Sequence, residues 1–241
     1  MRRIAAVSAA IAAIAAVLLP ALPSTAAPAP TRWVTQVGTY DYLLTPNYTG
    51  LAPIKDVIGN ATLGLGTFDH LDGELILMGG TVYRVGTDGV PEKADLTRTT
   101  PFFQAVAFAP QASAAVPEGT ACSALTPIID GLAGTTDGVV AVRVTGTFTA
   151  LSARSVPRQD EPYPPLADVV ATQTVFPLAD VRATLVGFRT GNSAKGIGAP
   201  GLHLHGLTTD RAAGGHILSC TAGAQTRIYV QVSRGIRVHT D

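Results

Sequence analysis

A chain of 241 residues that is 46% hydrophobic and only 14% charged carries enough apolar material for a sizeable core, which excludes a disordered protein. Its 17 basic and 17 acidic side chains cancel, so it lacks the basic surface that nucleic acid or an anionic lipid face requires. The partner expected is a small-molecule substrate, with no nucleic acid and no stable membrane partner.

In chain order, Arg2 and Arg3 precede an Ala/Ile/Val/Leu run from Ile4 to about Leu19, and Ser24-Thr25-Ala26 offers small residues for cleavage. This is the layout of a secretory signal peptide over residues 1–26. The alternative is an uncleaved anchor, although the run is shorter than the roughly 20 apolar residues a spanning helix needs. Either way the folded part is exported, to the periplasm or outside the cell. Without residues 1–26 the chain has 215 residues, and losing Arg2 and Arg3 leaves 15 basic against 17 acidic groups, a formal charge of −2. Residues 27–32 read as a flexible Pro/Ala leader, and residues 33–241 as one catalytic domain.

From Trp33 onward, short runs of Val, Ile, Leu, Thr and Phe alternate with Gly, Pro and Asp. A helix is expected over Tyr48–Ile58, followed by strands over Gly73–Met78 and Thr81–Val85, joined by Gly79-Gly80 as a two-residue hairpin turn. Helices are then expected over Thr100–Phe108, with Pro101 in its first turn, and over Ser123–Leu132. A strand over Gly138–Leu151 and a helix over Pro165–Thr174 come next, before strands over Val181–Phe188, Gly201–Leu207, His216–Ser219 and Ala224–Val232. The fold class is therefore α+β, with mixed β-sheets and short helices. Cys122 and Cys220 have no CxxC spacing; in an oxidising compartment they form one disulfide or else lie as unbonded core thiols.

Three of the five histidines gather near the C-terminal end. His203 and His205 stand at i and i+2, so an extended Gly201–Leu207 projects both from one face, with Leu202 and Leu204 on the packed side. Thr208 to Gly215 is long enough for a turn that returns His216 on an antiparallel neighbour. Three converging imidazoles with one position left open form the ligand set of a catalytic zinc site. Cobalt, iron and manganese accept the same ligands. The plainer reading is a set of hydrogen-bonded surface histidines on a hairpin. His70 and His239 are isolated and carry no assigned role.

Glutamate is scarce. Glu92, Glu118 and Glu161 lie in polar or Pro-rich loops and read as solvated, whereas Glu74 opens the apolar run Leu75-Ile76-Leu77-Met78. A carboxyl held there either faces a sheet-lined cavity, where burial raises its pKa toward that of a general acid or base, or ends a strand in solvent. Arg154 ends a long strand-like run and offers a bidentate fork to an anionic substrate; Arg143, Arg158, Arg182 and Arg189 compete with it.

Five segments together resemble one family, the acetolactate decarboxylases: Gly66-Thr67-Phe68-Asp69-His70-Leu71-Asp72-Gly73-Glu74, Thr100-Pro101-Phe102, Ser152 to Gln159, Leu185-Val186-Gly187-Phe188-Arg189, and Pro200 to His205 continuing through Asp210 to His216. They occur in the family's order and span about residues 33 to 218. The resemblance implies that His203, His205 and His216 correspond to the family's zinc ligands, and Thr67, Glu74 and Arg154 to its active-site threonine, glutamate and arginine. It also implies a mixed α+β fold, a homodimer, and a metal site in a cleft. One departure stands out: the family supplies a further glutamate from a C-terminal tail, whereas only 25 residues follow His216 here and none is glutamate. Either Asp241 takes that place or the product is protonated from elsewhere.

The activity so implied is conversion of 2-acetolactate (2-hydroxy-2-methyl-3-oxobutanoate), or a close 2-hydroxy-3-oxo acid, to acetoin and carbon dioxide. Losing the carboxylate leaves a carbanion equivalent beside the ketone, and zinc chelated by the ketone and hydroxyl oxygens would hold that charge as an enediolate. Arg154 then orients the anionic end, Glu74 manages the proton, and Thr67 hydrogen-bonds the hydroxyl or fixes Glu74. Two readings compete with this one: another His₃ zinc hydratase or hydrolase, and an exported metal- or ligand-binding protein without turnover.

Overall fold

A computed structural model describes residues 32–240, so the expected signal peptide, most of the leader and Asp241 lie outside the described residues. The elements in chain order are β1 (Trp33–Val37), α1 (Tyr40–Leu44), β2 (Ala52–Pro53), α2 (Ile54–Val57), β3 (Leu63–Thr67), β4 (Glu74–Met78), β5 (Thr81–Val85), β6 (Pro91–Lys93), β7 (Thr99–Thr100), β8 (Phe102–Val106) and β9 (Ala112–Ala115). They continue with α3 (Leu125–Ala133), β10 (Val139–Ser155), α4 (Leu166–Ala171), β11 (Thr174–Thr190), β12 (Gly201–Thr208), β13 (Gly214–Ala222), β14 (Arg227–Val232) and β15 (Gly235–His239). No described helix is long and apolar enough to cross a membrane.

Two sheets dominate. The first runs β15-β1-β8-β3-β4-β5-β6, antiparallel except for the parallel β1–β15 pair, which makes it mixed. The second runs β11-β12-β13-β10-β14-β9, and an added β10–β11 pairing closes β10, β11, β12 and β13 into a ring. Period-2 alternation assigns each strand's faces. Leu65, Ile76, Phe102 and Val106 of the first sheet meet Ala141, Val186, Phe188 and Leu207 of the second in one core. A second core lies on the other face of the ring, where Val140, Val142, Leu185 and Leu204 pack with Leu125 and Ile129 of α3. A third backs the first sheet, with Leu75, Leu77 and Phe103 against Ile54 of α2.

The α+β class with mixed sheets and short helices holds, but two expected helices do not. Thr100–Phe108 contains strand β8, which sits between β1 and β3 and is buried at every position. Burial on both faces removes the polar alternation that marks a strand, so its apolar run cannot be told from a helix by period. Tyr48–Ile58 yields only the short α2, because Gly50 lies against Thr99 and Ala52–Pro53 pairs with Thr99–Thr100 as a two-stranded ribbon. Strand β3 is not among the expected strands, since two of its five residues are glycine, yet a Cβ at Gly66 would stand 2.2 Å from the Phe102 carbonyl, so glycine permits the close approach of β8. Strand β11 begins earlier than expected because Pro177 lies where β11 pairs with β10 alone, an edge that tolerates a missing N–H. The Gly79-Gly80 turn is as expected, both residues having positive φ between Met78 and Thr81.

Cys122 and Cys220 are disulfide-bonded across a sequence separation of 98 residues, tying the turn before α3 to β13. Closing so long a loop restricts the unfolded chain strongly. Replacing both cysteines with serine is expected to lower unfolding stability by about 2–5 kcal/mol; an unchanged denaturant midpoint would show that the bridge adds nothing.

Candidate active site

The histidine site is assembled by strand register. His205 lies opposite His216 across β12 and β13, and His216 lies opposite Arg154 across β13 and β10, so the three form a row over adjacent strands. His203, two residues before His205, projects from the same face. His203 Nε2 is 3.2 Å from His216 Nδ1, which is 3.3 Å from His205 Nε2, and all three candidate donor atoms lie within 4.8 Å of one another. Tetrahedral bonds of about 2.0–2.1 Å to a zinc ion place ligand nitrogens roughly 3.3–3.4 Å apart, so the donor set fits such an ion.

The plainer reading of surface histidines on a hairpin does not hold for His205, which is 1% exposed. Its Nδ1 donates to the Leu75 carbonyl at 2.9 Å, which leaves the Nε2 lone pair facing its neighbours, the arrangement that orients a metal-binding histidine. His216 Nδ1 has at most one proton to share between two facing nitrogens, and His203 Nδ1 is buried without a hydrogen-bond partner among the described residues. Burial, aided by the positive charge of Arg154, pushes the His203 pKa down to about 3. Burial first, then His203 and Arg154, also hold His205 and His216 well below the usual histidine range. Neutral rings keep the lone pairs that a cation needs.

The other side of the site comes from the first sheet. Thr67 and Glu74 face each other across β3 and β4. Glu74 is 5% exposed; its Oε1 accepts from Arg154 Nη1 at 2.8 Å, and its Oε2 lies 3.4 Å from His205 Nε2. Burial raises the Glu74 pKa, with Arg154 opposing it. Arg154 Nε is buried and makes no hydrogen bond among the described residues, while the Arg154 side chain lines the cavity as a guanidinium that can meet an anion. Thr67 turns inward, its hydroxyl donating to the Gly73 carbonyl at 2.9 Å. That carbonyl belongs to the peptide leading into Glu74, and Thr67 also lines the cavity. The turn before Glu74 is strained, with His70 at φ 62° and Leu71 at φ 54°, conformations that cost of order 1–3 kcal/mol each in non-glycine residues.

These groups line a cavity of about 370 Å³ whose apolar walls include Leu71, Phe102, Val156 and Leu202. Tyr40 and Leu43 of α1 and Leu166 and Val170 of α4 also line it; as ordinary amphipathic residues they gave no signal in the sequence. The competing arginines lie elsewhere. Arg189 pairs with Asp130 at 2.9 Å, Arg143 lies between the Phe108 and Tyr229 rings, and Arg158 and Arg182 are exposed. Glu92, Glu118 and Glu161 are exposed, as expected. His70 bonds through Nδ1 to the Gln159 carbonyl and the Tyr163 hydroxyl, outside the cavity lining. β15 ends at His239, whose carbonyl accepts from Gly38, two residues before the cavity-lining Tyr40; Asp241 lies outside the described residues.

The family model described as Alpha-acetolactate decarboxylase matches residues 34–241. An alpha-acetolactate decarboxylase of Methanosarcina mazei is 40% identical over 183 residues, 76% of this chain and 64% of that protein, so the chain spans a little under two thirds of that relative's length. One from Brevibacillus brevis is 34% identical over 194 residues, covering 80% of this chain and 68% of its own. The crystal structure of alpha-acetolactate decarboxylase from Bacillus subtilis strain 168 aligns with a TM-score of 0.82 at 28% identity, covering 86% of this chain and 88% of that one. Because the match runs through every segment that builds the cavity, and the arrangement of sheets is shared, the chain belongs to the alpha-acetolactate decarboxylase family.

Proposed function

We propose that this chain is an exported, metal-dependent acetolactate decarboxylase that converts 2-acetolactate to acetoin and carbon dioxide. The observation that carries the reading is the meeting, in one cavity, of three imidazoles with a buried Glu74–Arg154 pair. Export rests on the signal-peptide pattern of residues 1–26 and is supported by the disulfide, which belongs to oxidising compartments.

His203, His205 and His216 would hold the ion. Bound there, zinc or another divalent cation supplies Lewis-acid stabilisation of negative charge on the substrate's oxygens, worth several kcal/mol. The chain's own groups account for the rest. Arg154, which lines the cavity, binds the anionic substrate and holds it in one orientation. The bond between C2 and the carboxylate carbon breaks, carbon dioxide leaves, and the electron pair stays on the substrate, delocalised toward the neighbouring ketone. Glu74, whose burial favours the protonated form, returns a proton to carbon and completes acetoin; it is then reprotonated from water. Thr67 holds the Gly73 carbonyl and so the backbone from which Glu74 projects.

The purified protein is expected to release carbon dioxide and acetoin from 2-acetolactate, to contain about one divalent metal per chain by elemental analysis, and to lose turnover on chelation and regain it on metal return. Turnover that survives complete metal removal would overturn the metal assignment; ester hydrolysis or hydration without decarboxylation would point to a different His₃ reaction. Glu74→Gln keeps an oxygen for Arg154 but has no acidic proton, and is expected to cut kcat by about 10²–10⁴-fold with metal content unchanged. Parental turnover in that variant would remove Glu74 from the mechanism.

A further inference from the structure

We propose that Asp72 is a positioning residue: clamped between Arg84 and Arg98, it fixes the turn from which Glu74 enters the cavity. The inference rests on the reading of Glu74 as the proton-handling group. Asp72 does not itself line the cavity, so it acts only through its neighbour.

The clamp is built from both the side chain and the backbone of Asp72. Oδ1 lies 2.5 Å from Arg84 Nη2 and Oδ2 lies 2.6 Å from Arg98 Nη2, while the Asp72 carbonyl accepts from Arg84 Nε at 2.8 Å. Asp72 thus engages two guanidinium groups at once, and neither oxygen is left over. Each arginine is held in turn. Arg84 Nη1 reaches Glu92 at 2.9 Å, and the Arg98 guanidinium lies 4.5 Å from the Phe68 ring centroid. Side-chain exposures of 22% for Asp72, 23% for Arg84 and 29% for Arg98 mean that water screens this cluster only partly.

The connection to Glu74 runs through Gly73. At φ 96°, a Cβ on Gly73 would meet the Val85 carbonyl at 2.9 Å and Arg84 Cγ at 3.0 Å, so the Arg84 stem runs directly against this residue. The peptide before Gly73 is held by Arg84 through the Asp72 carbonyl, and the peptide after it by Thr67 through the Gly73 carbonyl. The nitrogen of that second peptide belongs to Glu74. Left-handed His70 and Leu71 do not adopt this turn by local preference, so its shape is imposed by such outside contacts. A shift of about 1 Å at a reacting group costs on the order of a hundredfold in rate, so release of the clamp is expected to appear in kcat.

The test uses the full chain loaded with its divalent metal. Asp72→Asn and Arg98→Met are compared with Arg98→Lys, which keeps the charge, and with Ile129→Ala, a core truncation in α3 outside the cavity lining. The expected result is a kcat about 10- to 100-fold lower in Asp72→Asn and Arg98→Met, with KM and metal content near parental and most of kcat restored in Arg98→Lys. Ile129→Ala is expected to lose thermal stability while retaining kcat. Parental kcat in Asp72→Asn, or a fall in kcat that tracks melting temperature in all variants including Ile129→Ala, would overturn the proposal. If Asp72→Asn does not fold, the Arg98 pair gives the same reading. An active Glu74→Gln would remove the reading of Glu74 and this inference with it, whereas an inactive Glu74→Gln beside a fully active Asp72→Asn would remove the role of Asp72 alone.

Discussion

The site depends on the contact between two sheets. His205 on β12 donates to the carbonyl of Leu75 on β4, and Arg154 on β10 pairs with Glu74 at the start of β4. Both interactions cross from one sheet to the other at the place where the histidines converge, and Ser155 adds a third crossing by donating to the Val85 carbonyl. Such buried polar contacts have value only when fully made, because an unpaired partner in a low-dielectric interior is costly. They therefore set the relative placement of the sheets more narrowly than the surrounding apolar core of Leu65, Val186 and Leu207 does.

The same burial sets the electrostatics. Exclusion of water disfavours charge on the three histidines and on Glu74, so the imidazoles are held neutral and the Glu74 carboxyl is biased toward its protonated form. Arg154 opposes the second effect on Glu74 and reinforces the first on the imidazoles. A buried carboxyl, an arginine 2.8 Å from it and an imidazole 3.4 Å from it can then coexist in one cavity. The strained turn at His70 and Leu71 delivers the carboxyl to this environment, and its unfavourable backbone geometry is sustained by contacts elsewhere in the fold.

Period-2 alternation made much of the second sheet legible. His203 and His205 two residues apart, with a turn of suitable length before His216, lead to the pairing seen across β12 and β13, because a strand's faces are fixed by covalent geometry alone. The hairpin at Gly79-Gly80 and the helices around Leu125–Ala133 and Leu166–Ala171 follow from similarly local rules. β8 and β3 did not follow, since the one is buried on both faces and the other has glycine at two of its five positions, and in each case what defines the strand is the neighbour it packs against.

By itself, then, the amino-acid order determined the residue types of the site, the face each histidine occupies on its strand, and the motif order that marks the family. Only the tertiary structure decided that Arg154, and not Arg189 or Arg143, meets Glu74, that Thr67 serves the backbone of Gly73, and that α1 and α4 complete the cavity wall. The physical reason is range. Strand periodicity and turn chemistry act over a few residues, whereas the Glu74–Arg154 and Leu75–His205 contacts join positions 80 and 130 residues apart, and only the packing of whole sheets selects their partners.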